Sequence, residues 1–246
     1  AEISGVFHTG DAERIIEEFE LKKLQMNTSG STYANILCLD SSGGNLREAL
    51  KVVRYINSGD GMGTRIANDA ECLSACALIF MSGRIKFQEA RQRLWRIMEP
   101  GATLGFHAPS LLLPESLETY KSSEVKSAYA VALITVSEIS DALISSGITR
   151  SDERFISFIP ASLLTEMLRV PSEEFLYIRT VDDAARWQIE VPIPRDHAVK
   201  RKIADLPAVC TNPVAWRANA SALPERVDDT SYNLTRTNDS IAYTYN

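Results

Sequence analysis

The sequence predicts an α/β fold, on three observations. Residues 34–39 are an apolar run without alternation, the pattern of a strand covered on both faces in a parallel sheet. The run leads through Asp40-Ser41-Ser42-Gly43-Gly44 into Leu46, Ala49, Leu50, Val53 and Ile56 at helical spacing, then into a further strand-like stretch, residues 63–68. Strand, Gly-rich turn, helix and strand make a βαβ unit, which sets 34–39 and 63–68 side by side and parallel. Further on, Val125, Ala128, Ala132, Val136, Ile139 and Leu143 recur at helical spacing before Gly147, predicting one long helix.

The other elements follow in chain order. Residues 2–7 read as a short strand, Thr9-Gly10-Asp11 as a turn, and 12–24 as an amphipathic helix carrying Ile15, Ile16, Phe19 and Leu24. Residues 27–33 read as a polar loop. Asn45 and Glu48 have capping-box spacing, and Asn57-Ser58-Gly59 ends that helix. The apolar run 75–81 closes on Gly83. Residues 83–99 carry Arg84, Lys86, Arg91, Arg93 and Arg96 and read as a surface insertion. Residues 103–106 are strand-like after the Pro100-Gly101 turn. Residues 160–168 form a helix with Pro near its start, 175–178 a short strand, 180–187 a short helix, and 189–193 an edge strand interrupted by Pro192. From Ala204 onward periodicity stops, and Pro, Asn, Ser and Thr dominate. The chain divides into a main domain, 1–203, and a loop-rich C-terminal extension, 204–246, tied down locally through Cys210.

Composition removes several classes of function. A net charge of −6 with no long basic cluster argues against nucleic acid as a partner. No apolar run approaches the roughly 20 residues of a membrane span, so no transmembrane segment is expected. Neither G-x-G-x-x-G nor G-x4-G-K-[ST] occurs, which removes the dinucleotide and phosphate-loop fingerprints. Cys72 and Cys76 have C-x3-C spacing, but the three histidines are remote in sequence, so no metal site is expected. The sequence starts at Ala1 without a visible signal peptide, which fits a mature exported protein.

Three stretches hold reactive or ligand-facing groups. Ser74 sits in Glu71-Cys72-Leu73-Ser74-Ala75-Cys76, between small residues and at the front of an apolar helix. Small neighbours leave room for a substrate, and a helix N-terminus offers free N–H groups to an oxyanion. The plainer role for the same serine is a helix N-cap. Gly43-Gly44 permits positive φ, and a bare backbone there can approach a ligand. His107 ends the strand 103–106 and is followed by Ala108-Pro109, a setting that presents an imidazole.

Taken in order, these residues resemble the Clp protease/crotonase superfamily, specifically its ClpP-like serine peptidase branch. In that branch a buried strand ends in Ser-Pro-Gly-Gly; here the residues are Ser41-Ser42-Gly43-Gly44. A nucleophilic serine among small residues follows, then an apolar helix closing on Gly, matched by Ser74 and Gly83. Arg, Pro and His-x-Pro come next, matched by Arg96, Pro100 and His107-Ala108-Pro109. The resemblance covers roughly residues 2–187 and is strongest over 36–109. It implies a crotonase-type spiral of ββα units. It also implies Ser74 as nucleophile, His107 as general base, and the backbone N–H groups of Gly44 and Ala75 as the oxyanion hole. A serine hydroxyl needs an imidazole to take its proton, and the oxyanion needs fixed donors, so the set is chemically coherent.

The chain also departs from that pattern. The turn has Ser42 where the family has Pro. Counting back from the unit resembling residues 176–184 puts the acid that orients the histidine at Leu176, which has no carboxylate. Glu173 and Glu174 lie near, Asp141 and Asp152 further off, and the third member stays unassigned. The four cysteines, Cys38, Cys72, Cys76 and Cys210, allow three pairings if all are oxidised. Export to an oxidising compartment predicts at least one disulfide. Cys72–Cys76 is the expected pair and requires that the backbone between them is not a regular helix.

The resulting expectation is a serine peptidase-like hydrolase, periplasmic or otherwise exported. It needs no cofactor, acts on peptides or unfolded protein segments, and forms a homo-oligomer. Three competitors share the residues. One is a catalytically silent binding or scaffold protein on the same fold. Another is a crotonase-type acyl-CoA enzyme, which needs carboxylates and an adenine pocket. The last is a Ser–Lys peptidase using Lys86, the nearest downstream lysine.

Overall fold

The computed structural model describes residues 2–29, 36–59, 61–86, 92–109, 120–149, 155–171, 173–192, 212–216, 232–236 and 241–245. The first half comprises β1 (Glu2–Ser4), α1 (Asp11–Ser29), β2 (Ile36–Asp40), α2 (Leu46–Ser58), β3 (Gly63–Ile66), β4 (Glu71–Leu73) and α3 (Ala75–Met81). Next come β5 (Arg84–Lys86), β6 (Gln92–Leu94), β7 (Arg96–Met98), β8 (Thr103–Phe106) and α4 (Ser122–Ile139), which continues as a π-helical turn, Ser140–Ile144. The remainder is β9 (Gly147–Thr149), β10 (Phe155–Ser157), α5 (Ala161–Arg169), β11 (Leu176–Tyr177), α6 (Val181–Arg186), β12 (Tyr232–Arg236) and β13 (Ile241–Tyr245).

The result is an α/β architecture of alternating strand–helix units and several small sheets. Strands β1-β2-β3-β7 form a four-stranded sheet in which every pairing is parallel. The expected neighbours β2 and β3 are adjacent, with Ile36 opposite Gly63. A second sheet has the order β11-β8-β4, with β4 and β8 parallel and β11 antiparallel to β8. The end of β2 leads into this second sheet. Ser41 N–H donates to Glu71 O at 2.7 Å, and Leu73 N–H donates to Ser41 O at 2.9 Å.

Helix α2 buries Ala49, Leu50, Val52, Val53 and Ile56, and every residue of α3 is buried. Seven residues are too few for an isolated helix. Burial of Leu78, Ile79, Phe80 and Met81, each contributing roughly 1.5–3 kcal/mol, is what holds α3 in place. At the start of α2, Asn45 Oδ1 accepts the N–H groups of Arg47 and Glu48. The reciprocal half of the capping box does not form. Glu48, buried, instead accepts from Ala12 N–H (3.0 Å) and Lys51 Nζ (2.9 Å), tying α2 to the start of α1.

Several sequence expectations need correction. Residues 83–99 are not a surface insertion: β7 is the outer strand of the main sheet, and Arg84 and Arg96 are buried. Their long side chains serve the interior. The Arg84 guanidinium donates to the carbonyls of Ile56 (3.1 Å) and Gly59 (2.8 Å), covering the open end of α2. Arg96 Nη1 donates to Phe158 O at 2.9 Å, while Nε and Nη2 have no partner among the described residues. Burial pushes the Arg96 guanidinium down to about 9. Helix α1 runs on to Ser29, through part of the expected 27–33 loop. In place of the expected edge strand at 189–193, the described residues make one bridge, Glu190 with Ile97.

The long helix forms, but its apolar spacing does not report burial. Ile139 is the only buried residue of α4, while Val125, Tyr129, Leu133 and Ile134 are exposed. The π turn then swings Ala142 and Leu143 inward. From Ser122 to Ile144 this helix is long and apolar enough, by length and composition, to cross a membrane. Interruptions by Ser, Thr, Glu and Lys conceal that in a search for unbroken runs. In the C-terminal extension, β12 and β13 pair antiparallel where irregular chain is expected. Trp216 Nε1 donates to Asp182 at 2.7 Å, giving the extension a tie to α6. Cys210 and Asp152 lie outside the described residues.

Candidate active site

Strands β4 and β8 are parallel neighbours with Leu73 opposite Gly105. Ser74 follows the last residue of β4, and His107 follows the last residue of β8, so both sit at the carboxyl ends of adjacent parallel strands. Ligand sites in α/β sheets favour this edge. Ser74 N–H donates to Gly105 O at 3.0 Å, fixing the register up to the last residue before the turn. His107 Nε2 and Ser74 Oγ are 2.7 Å apart, within hydrogen-bond reach.

Ser74 is not a capping serine. It stands at the N-cap position of α3, yet its side chain makes no cap hydrogen bond. Its backbone lies at φ 55° and ψ −121°, a conformation costing a non-glycine residue on the order of 1–3 kcal/mol. The strand-to-helix corner imposes it and turns Oγ toward the imidazole, the strained-elbow arrangement that exposes nucleophilic serines.

Gly43 makes this corner possible. Its φ is 102°, and a Cβ there would stand 2.7 Å from Ser74 Cβ and 2.8 Å from Leu73 O. Ser41 is buried and accepts the Gly43 N–H on its Oγ at 3.1 Å, so a side-chain hydrogen bond organises the turn around Ser42. Gly44 at φ 125° lies against the backbone of Phe7, with no room for a Cβ. Among the described residues, no group accepts a hydrogen bond from the backbone N–H of Gly44 or of Ala75.

Ser74, His107, Gly44 and Ala75 line one cavity of about 430 Å³. Leu46, Leu78, Ile139 and Met167 supply apolar wall, and Arg47, Thr135 and Glu138 supply polar groups. The contributions of α4 and α5 are long-range packing, and no local sequence signal marks them as lining.

His107 has no orienting acid among the described residues. Nδ1 is buried and without a hydrogen-bond partner. The Phe175 ring stands nearly perpendicular to the imidazole, at 4.9 Å between centroids. Leu176, where counting placed the acid, pairs with Phe106 in the sheet. Glu173, Glu174 and Asp141 are exposed. Phe175 escaped the sequence reading, although Phe175, Tyr177 and Arg179 alternate as one face of a strand and do form a ladder, Phe175 on Tyr177 and Arg179 over Tyr177. Lys86, the alternative base, is exposed on β5.

Cys72 and Cys76 are joined in a disulfide across the corner. Cys72 belongs to β4 and Cys76 to α3, so the backbone between them is a turn and not a regular helix, as bridging requires. The sulfurs of the C-x3-C pair are thus committed to each other. Cys38 in β2 is a free thiol. Compared with known proteins, the chain matches no family model, and no curated protein matches it significantly.

Proposed function

We propose that this chain is a serine peptidase-like hydrolase on a ClpP/crotonase-type spiral, exported to the periplasm or another oxidising compartment. The Ser74–His107 contact at the wall of a substrate-sized cavity carries this reading. In the proposed cycle, the Ser74 hydroxyl gives its proton to His107 Nε2 as Oγ attacks the carbonyl carbon of a peptide bond. The oxyanion receives hydrogen bonds from the Gly44 and Ala75 N–H groups, which have no intramolecular use among the described residues. The imidazolium protonates the departing amine, and water then cleaves the acyl-enzyme with the same base. No cofactor is called for.

The apolar wall of the cavity suits a peptide or unfolded segment carrying an aliphatic side chain. The exposed apolar residues of α4 suit a homo-oligomer in which a second copy covers them. The spiral draws support from the parallel sheet and the passage of β2 into the second sheet.

The silent binding protein remains the second reading, favoured by the buried, unpartnered Nδ1. The tautomer that lets Nε2 act as a base carries its proton on Nδ1, and a buried N–H without an acceptor costs about 1–3 kcal/mol. Loss of the acid from a complete triad lowers turnover about 10⁴-fold, so the expected hydrolysis is slow. Incubation with an unfolded protein and a mixed peptide pool, product masses being read over hours, separates the two. Cleavage by wild type and none by Ser74→Ala supports the hydrolase; retained peptide with no cleavage supports the binding protein.

A further inference from the structure

We propose that the Cys72–Cys76 disulfide is a positioning device for Ser74, holding the serine in its strained corner so that Oγ meets His107. The inference rests on the hydrolase reading for its catalytic consequence, but its structural content is independent of it. The disulfide joins the two elements whose junction is Ser74. Cys72 is fixed in β4, paired with Leu104 in the sheet and bridged to Ser41, and Cys76 is fixed in the buried helix α3. Both cysteines are fully buried. Between them lies one residue at positive φ, Ser74, which an untied strand–helix corner would relax toward an ordinary conformation. The covalent tie keeps the Cα atoms of the two flanking residues 5.2 Å apart, and an extended three-residue connection cannot satisfy that span.

The bridge is badly placed to serve global stability. A disulfide stabilises a fold by restricting the unfolded chain, more so the longer the loop it closes, and this one closes a loop with a sequence separation of only 4. Its location therefore points to local geometry. Gly43 supports the same assignment from the opposite side, because its bare backbone lies against Ser74 Cβ with no room for a Cβ between them, so the serine cannot move toward it. The corner is thus held covalently on one side and sterically on the other. Because both sulfurs are buried, the tie is permanent in the folded protein and not a surface switch.

The test uses the full chain as Cys72→Ala/Cys76→Ala, and wild type reduced under mild denaturant and refolded with or without reoxidation. One readout is the saturating rate of Ser74 labelling by a fluorophosphonate, measured together with its half-saturation concentration. The other is hydrogen exchange of the Ser74 and Ala77 amides, which donate to Gly105 O and Ser74 O across the corner. The expected result is a drop of at least tenfold in the saturating rate with half-saturation unchanged within twofold. Exchange should become at least tenfold faster at those amides and stay unchanged in α2 and β2. Reoxidation of the reduced wild type should restore both. Labelling at the wild-type rate together with unchanged exchange in the unbridged protein overturns the proposal. If oxidised wild type never labels, the hydrolase reading fails and exchange alone decides: faster local exchange sustains the positioning role, and unchanged exchange ends it.

Discussion

Gly43 and Arg96 put individual side-chain requirements to the test. Gly43→Ala must place a methyl group at positive φ against Ser74 Cβ and Leu73 O, so the corner has to move. It should lower unfolding stability by more than about 1 kcal/mol and slow Ser74 labelling in whatever remains folded, as read by urea midpoints and labelling rates. Arg96 is a buried charge with no counter-ion among the described residues. Its folded value of about 9 lies below the ordinary guanidinium range, so between the two the unfolded chain binds more protons and stability rises with pH. Below pH 9 both states are protonated and the full penalty is present. Arg96→Met loses the charge-assisted hydrogen bond to Phe158 O, about 1.5–3 kcal/mol, and removes an ion whose desolvation costs several kcal/mol. The variant should unfold at higher urea than wild type at pH 7, with the gap narrowing above pH 9. Ser74 and His107 were legible from sequence because small neighbours and a strand-end imidazole are local signals. Phe175 and the unpartnered Nδ1 were not, because which side chain reaches the imidazole depends on how β11 docks on β8.

At the level of elements, Glu48 couples α1 to α2. Lys51 and the Ala12 N–H hold its carboxyl below the usual carboxylate range. The folded state therefore binds fewer protons than the unfolded chain as pH falls through about 4.3. The contribution is fully present above that pH and is lost as pH falls through the lower, folded value. Glu48→Gln should cost about 1.5 kcal/mol at pH 7 and show a flatter acid limb, measured as urea midpoints between pH 3 and 7. The βαβ unit was readable because its strand, turn and capped helix are contiguous in sequence. Strand β7 was not, since five basic residues between Gly83 and Glu99 suggest solvent, and only the fold shows Arg84 reaching the end of α2 and Arg96 entering the core. The hairpin β12–β13 was hidden by composition: Pro, Asn and Ser around it mask the alternation of Tyr232–Arg236 and Ile241–Tyr245.

For the whole molecule, α4 and the site belong together, because one side of this helix lines the cavity through Thr135, Glu138 and Ile139 while Tyr129 and Leu133 stand exposed. If a second copy covers the exposed side, Leu133→Glu should shift sedimentation at micromolar concentration from oligomer to monomer; an unchanged mass would exclude that side as the interface. This exposure was not legible in the residues, because helical periodicity marks an apolar face without saying what meets it. The alignment of two strand ends, a glycine-supported corner and a nearby imidazole yields hydrolytic chemistry only if Ser74 is nucleophilic. Intact-mass analysis of wild type, Ser74→Ala and His107→Ala after fluorophosphonate treatment measures that directly. The predicted result is a single adduct on Ser74 in wild type, none in Ser74→Ala, and labelling slowed about 10²–10⁴-fold in His107→Ala. A wild type that gains no adduct, or a Ser74→Ala protein that labels as fast as wild type, would contradict it.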